Sequence, residues 1–115
     1  MFSISRLIRA FGHSVNGLKS TFASETAFKQ EVILCVVAAP IIYWIDATLV
    51  EKILLIISLA FVLMAELVNT AIEAVVDRIS HERHELSKKA KDVGSGVVLV
   101  ACINAAVVWL LILLD

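Results

Sequence analysis

VLMAELVNTAIEAVVDRIS, residues 62–80, begins as apolar as the interior of a bilayer and then sets Glu66, Asn69, Glu73 and Asp77 into the same run. At about 100° per residue, with Glu66 as reference, Asn69 falls near −60°, Glu73 near −20°, Asp77 near +20° and Thr70 near +40°. The polar groups therefore form one stripe on one face of a helix. Leu67, Val68, Ala71, Ile72, Ala74 and Val75 cover the other faces. Glu66 and Glu73 are separated by about 10 Å along the axis. A charged side chain at the centre of a membrane helix costs about 2.5–3.5 kcal/mol on insertion scales. Carboxylates aligned on one face of such a helix point to ion pairs, to glue between helices, or to a polar site built for cations or protons at the membrane boundary.

The rest of the chain fits a membrane setting. Its 115 residues are 60% hydrophobic, and its mean hydropathy is +0.93. A soluble domain of this length has too little interior to hide that much apolar surface. Two further apolar runs flank the first. VILCVVAAPIIYWI, Val32 to Ile45, is short for a span of about 20 residues and must borrow neighbours such as Ala27 and Phe28. Its Pro40 is tolerable in a bilayer helix. VVLVACINAAVVWLLILL, Val97 to Leu114, contains Asn104 as its one strongly polar residue.

The predicted architecture is all-α, one membrane domain over residues 1–115. It has an amphipathic interfacial helix at 1–26 and spans at 28–47, 50–79 and 96–114. The second span carries a cytoplasmic extension, and a cytoplasmic connector occupies 80–95. The short connector DATLVEK makes the first two spans an antiparallel hairpin. The connector before the third span lacks proline, so its helical character is expected to persist as far as Gly94 and Gly96.

Basic residues set the orientation. Arg6, Arg9, Lys19 and Lys29 precede the first span, and Arg78, Arg83, Lys88, Lys89 and Lys91 follow the second. Only Lys52 lies in the hairpin connector. The positive-inside rule places the N-terminus and residues 77–96 in the cytoplasm and the C-terminus outside. Phe2, Ile4, Leu7, Ile8, Phe11, Val15 and Leu18 recur at roughly helical spacing opposite basic residues, as in a helix lying in the interface plane. No continuous apolar stretch marks this segment as a cleavable signal. Cys35 and Cys102 sit inside apolar runs and read as small buried hydrophobes. The net charge of −1 gives no reason to expect a nucleic-acid partner.

Three chemistries could use the stripe. A transporter would need a wide charged lumen. A proton relay would need carboxylates across the whole membrane, and the third span offers only Asn104. An enzyme acting on a lipid needs a carboxylate near headgroup depth and others toward the water side, which is the gradient seen here. No standard nucleotide loop is present, and His81–Glu85 (HERHE) departs from the H-E-x-x-H zinc pattern. A single chain is expected to leave Glu66, Asn69 and Glu73 facing lipid, which favours association.

ELVNTAIEAVVDRI (Glu66–Ile79), HELSKKAKDVGS (His84–Ser95) and ETAFKQE (Glu25–Glu31) together resemble the prokaryotic diacylglycerol kinases, a family that also contains undecaprenol kinases. The resemblance covers nearly the whole chain. ETAFKQE and HELS look closer to the Gram-negative diacylglycerol branch. It implies a homotrimer of the bacterial inner membrane with sites shared between neighbouring chains. It implies transfer of the γ-phosphate of MgATP to the hydroxyl of diacylglycerol. Glu66 would be the general base with Asn69 beside it, and Glu25 and Glu73 would hold Mg²⁺. Arg6, His13, Glu25, Glu73, Glu82, Arg83, His84, Lys91 and Asp92 would contact ATP. Family members often carry an aromatic residue where His13 stands. Arg6, Glu31, Glu66, Ser95 and Trp109 would meet the lipid. Undecaprenol kinase is the alternative inside the family. A small oligomeric cation or proton conductor is the alternative outside it.

Overall fold

The computed structural model describes residues 3–79 and 81–115. It contains four helices, α1 (Ile4–Ser24), α2 (Thr26–Trp44), α3 (Leu49–Ile79) and α4 (Glu85–Leu113), and no strand among the described residues. The last three are long and apolar enough to cross a membrane. Phe2, read as part of the first apolar face, and Ser80, at the start of the predicted connector, lie outside the described residues.

Local chemistry explains each helix end. Ser3 caps α1, its hydroxyl accepting from the Arg6 N–H. Glu25 is the corner between α1 and α2. Its N–H closes α1 on the Thr21 carbonyl at 2.8 Å, and its carbonyl receives the Lys29 N–H at 3.1 Å to open α2. The backbone there is extended, so two helices meet across a single residue. Pro40 is accommodated inside α2, which ends at Ile45. Thr48 and Glu51 then form a reciprocal cap at the start of α3. The Thr48 N–H donates to Glu51 Oε1 at 2.9 Å, and the Glu51 N–H donates to Thr48 Oγ1 at 3.1 Å. Lys52 ties the hairpin by donating to the Tyr43 carbonyl at 2.8 Å.

α3 is the central helix. α4 packs along it, α2 packs on another side, and α1 meets α2 and α3 at one end. Leu55 and Ser58 of α3 are fully enclosed. Leu55 forms a core with Ala38 and Ile42, against which Ile45, Leu59, Val108, Trp109 and Ile112 pack. The Trp109 indole N–H donates to Ser58 Oγ at 3.1 Å, and Ser58 donates onward to the Leu55 carbonyl at 2.7 Å. Two otherwise unmatched polar groups are thereby satisfied inside an apolar half.

The backbones of α2 and α4 stay more than 8 Å apart, Cα to Cα, among the described residues. That separation leaves a cleft over α3. It also excludes a Cys35–Cys102 disulfide, which needs Cα atoms about 4.4–6.8 Å apart. The expected burial of these thiols is not met within the chain: Cys35 is half-buried and Cys102 exposed. α4 runs through Gly94 and Gly96 without interruption, so much of the predicted connector is already part of it.

Candidate functional site

The polar stripe of α3 turns inward. Glu66 is only 9% exposed, while Asn69, Glu73 and Asp77 are half-buried. The expectation that a lone chain would leave Glu66 to lipid is therefore overturned, because α2 and α4 flank this face of α3. Asn69 and Glu73, one turn apart, are joined by Asn69 Nδ2 donating to Glu73 Oε1 at 3.1 Å. Glu25, at the α1–α2 corner, and Glu73 both lie near enough for their charge to act on Glu66, and Glu66 in turn acts on Glu31 of α2. Three elements thus bring Glu25, Glu31, Glu66, Asn69 and Glu73 to one region. Two of its oxygens, Glu31 Oε1 and Asn69 Oδ1, are buried without a hydrogen-bond partner. Buried acceptors left in that state favour a donor or a cation.

A second region lies where α3 leads into α4. A cavity of 540 Å³ is lined by Val76, Asp77, His81, Glu82, Arg83, His84, Glu85, Ser87, Lys88 and Lys91. Its size suits a small organic ligand. Lys91 reaches across from α4 to Asp77 of α3 at 2.7 Å. His84 caps α4, its Nδ1 accepting from the Leu86 N–H at 3.0 Å. In the neutral ring that arrangement puts the proton on Nε2. Asp92 does not line this cavity. It pairs with Lys88 at 2.6 Å, beside a neighbouring groove formed with Glu85, Lys89 and Val93.

The remaining predicted residues are dispersed. Arg6 and His13 are exposed on α1, and Ser95 is exposed on α4. Glu31 and Trp109 lie toward opposite ends of the α2–α4 cleft. One cavity, of 230 Å³, is lined by Glu31, Leu34, Cys35, Leu59, Val62, Cys102 and Ala105. The next, of 250 Å³, shares Leu34, Leu59 and Ala105 and continues to Ile41 and Trp109. The cleft therefore has a carboxylate at one end and an indole at the other, with apolar walls between.

The sequence reading missed His81 and Lys88 in the cytoplasmic cavity, the Asp77–Lys91 pair and the packing role of Gly94. A glycine inside a helix that needs no positive φ is a signal of close approach.

Among the described residues no three His, Cys, Asp or Glu side chains gather as a metal cage. The donors that do converge are carboxylate and carboxamide oxygens, which suit Mg²⁺, an ion that takes few protein ligands and keeps water or phosphate oxygens for the rest.

Fold and site together define a helical protein of bacterial-membrane type with carboxylates held inside its spans. The prokaryotic diacylglycerol kinase family matches residues 12–113. Diacylglycerol kinases of Escherichia coli K12, Haemophilus influenzae and Pseudomonas aeruginosa are 45%, 44% and 44% identical to it. The alignments cover 95%, 92% and 96% of this chain and 89%, 90% and 90% of theirs. The chain belongs to the prokaryotic diacylglycerol kinase family.

Proposed function

We propose that the protein transfers the γ-phosphate of ATP to the hydroxyl of diacylglycerol, giving phosphatidic acid and ADP. The observation that carries this reading is the placement of Glu66. It is a buried carboxylate on a span, close to Glu25 and Glu73 and about two to three turns from the basic cytoplasmic cavity.

In the proposed reaction the lipid hydroxyl lies within hydrogen-bond reach of Glu66. Its oxygen attacks the γ-phosphorus, its proton passes to Glu66, and the bond from that phosphorus to the ADP oxygen breaks. Glu25 and Glu73 would hold Mg²⁺, which when bound neutralises charge on the phosphate oxygens. Asn69 steadies Glu73 through the carboxamide bond. Lys91, Arg83 and the Nε2–H of His84 supply positive or donor groups to the nucleotide, with Glu82, Arg6, His13 and Asp92 at its margins. Lys91 is the residue of this set most firmly placed, because Asp77 holds its ammonium at the cavity wall. Glu31, Ser95, Arg6 and Trp109 meet the lipid, whose acyl part follows the cleft between α2 and α4.

The assembly is a homotrimer in the bacterial inner membrane, with sites completed between neighbours. α1 lies in the interface, consistent with the exposed row Ile4, Leu7, Ile8, Phe11, Leu18 and Phe22 along it. The N-terminus is cytoplasmic and the C-terminus periplasmic. A reporter fused after Asp115 should be active in the periplasm, and activity in the cytoplasm would overturn the orientation drawn from charge bias.

The decisive experiment supplies purified protein with γ-labelled MgATP and separate vesicles containing diacylglycerol or undecaprenol. Lipid products are then resolved by thin-layer chromatography. Label is expected in phosphatidic acid. Label only in the undecaprenol product would move the protein to the other branch of the family. Absence of label from every lipid would defeat the kinase reading and leave the conductor.

A further inference from the structure

Gly94 is the buried residue of α4, and it faces Asn69. A Cβ placed on it would fall 2.5 Å from Asn69 Oδ1, 3.5 Å from Asn69 Cγ and 3.4 Å from Ile72 Cδ1. A carbon cannot sit 2.5 Å from a non-bonded oxygen, so the Asn69 carboxamide occupies the space a side chain at 94 would need. Gly96, two residues on, has nothing within 4 Å of the same construction. Neither glycine has positive φ, so neither is required by the backbone. Glycine weakens a helix interior relative to alanine. At 96 nothing offsets that loss; at 94 the open space is filled by a side chain of the candidate site.

The Asn69 carboxamide is held from two sides. Nδ2 donates to Glu73 Oε1 at 3.1 Å, and Oδ1 is buried without a hydrogen-bond partner against Gly94. We infer that Gly94 is a positioning residue: its bare Cα is the wall that fixes the Asn69 carboxamide, and through Nδ2 it fixes the Glu73 carboxylate. A methyl group at 94 forces the carboxamide to turn about its staggered torsions, and that turn breaks the bond to Glu73. Glu73 then loses its orientation with its charge intact. The inference rests on the proposed role of Glu73 as a cation ligand.

The test compares Gly94→Ala, Gly96→Ala and Glu73→Gln in the full-length protein. Each is titrated with Mg²⁺ at saturating ATP and lipid. Gly94→Ala should raise the half-saturating Mg²⁺ several-fold, in the same direction as Glu73→Gln, while Gly96→Ala leaves it unchanged. If Glu73→Gln shifts the titration and Gly94→Ala does not, the inference is overturned and the metal reading stands. If neither shifts it, the metal reading fails and takes the inference with it.

A thermal-unfolding cycle adds a readout independent of activity. Gly94→Ala should lower Tm in the wild-type background. In the Asn69→Ala background, where the space is vacant, it should be neutral or stabilising. If Gly94→Ala alone fails to fold, recovery of folding in the double variant supports the inference. A cycle in which the two changes simply add, or a double variant that stays unfolded, overturns it.

Discussion

Glu66→Gln is expected to lower kcat by about 100-fold or more, the scale on which loss of a general base is felt. The exchange keeps the size and hydrogen-bonding shape of the side chain and removes its capacity to take a proton. MgATP affinity should change little, because Glu66 lies deeper along α3 than Glu73 and the cytoplasmic cavity. Stability should hold or rise. Glu66 is nearly enclosed, and the charges of Glu25 and Glu73 act against its own. A neutral amide removes both the desolvation of a charge, about 2.5–3.5 kcal/mol on insertion scales, and that repulsion. If Glu66 served only to bond helices together, the pattern would invert: a lower melting temperature with turnover per folded molecule intact. Thermal stability and turnover measured on one preparation separate the two. A stable and fully active variant would defeat both accounts.

Glu73→Gln should move the Mg²⁺ dependence to higher concentration by on the order of 10-fold or more, as loss of a ligating group does. The amide oxygen of Gln can still accept from Asn69 Nδ2, so the existing 3.1 Å bond is retained and the change isolates the charge. Glu25→Gln should behave alike, although it acts from the α1–α2 corner rather than from α3. In both, raising Mg²⁺ should recover part of the activity, because a ligand was weakened and the reacting group was not. Full recovery is not expected, since a cation held by fewer charges neutralises phosphate less well. Wild-type titrations in both variants would refute the metal assignment. Recovery distinguishes these variants sharply from Glu66→Gln, which added Mg²⁺ should not rescue.

The three spans were legible because hydropathy and length decide them with no reference to partners. The stripe on α3 was legible because spacing alone fixes an angle on a helix. What the stripe faces was not. A period of 3.6 says that Glu66, Asn69 and Glu73 share a face, and only packing of α2 and α4 shows that the face is turned inward. Gly94 was misread for a related reason. Glycine can end a helix or admit a neighbour, and the sequence gives no sign of Asn69 lying opposite. Lys91 and Asp92 were grouped in one nucleotide set, yet adjacent helical residues point about 100° apart. The periodicity that revealed the carboxylate stripe would have separated them too. Lys91 turns to Asp77, and Asp92 turns to Lys88.

The gap between α2 and α4 bears on traffic. Because those helices are joined only through α3, a molecule sliding in from the surrounding leaflet parts no helix–helix interface on its way to Glu31. Under the proposed function no gate has to swing and no stored strain has to be released. Arrival becomes a two-dimensional search by a substrate already dissolved in the same sheet of lipid, and the phosphorylated product can leave by the path it came. Turnover at low substrate should then track the fluidity and substrate density of the bilayer more closely than any motion of the protein.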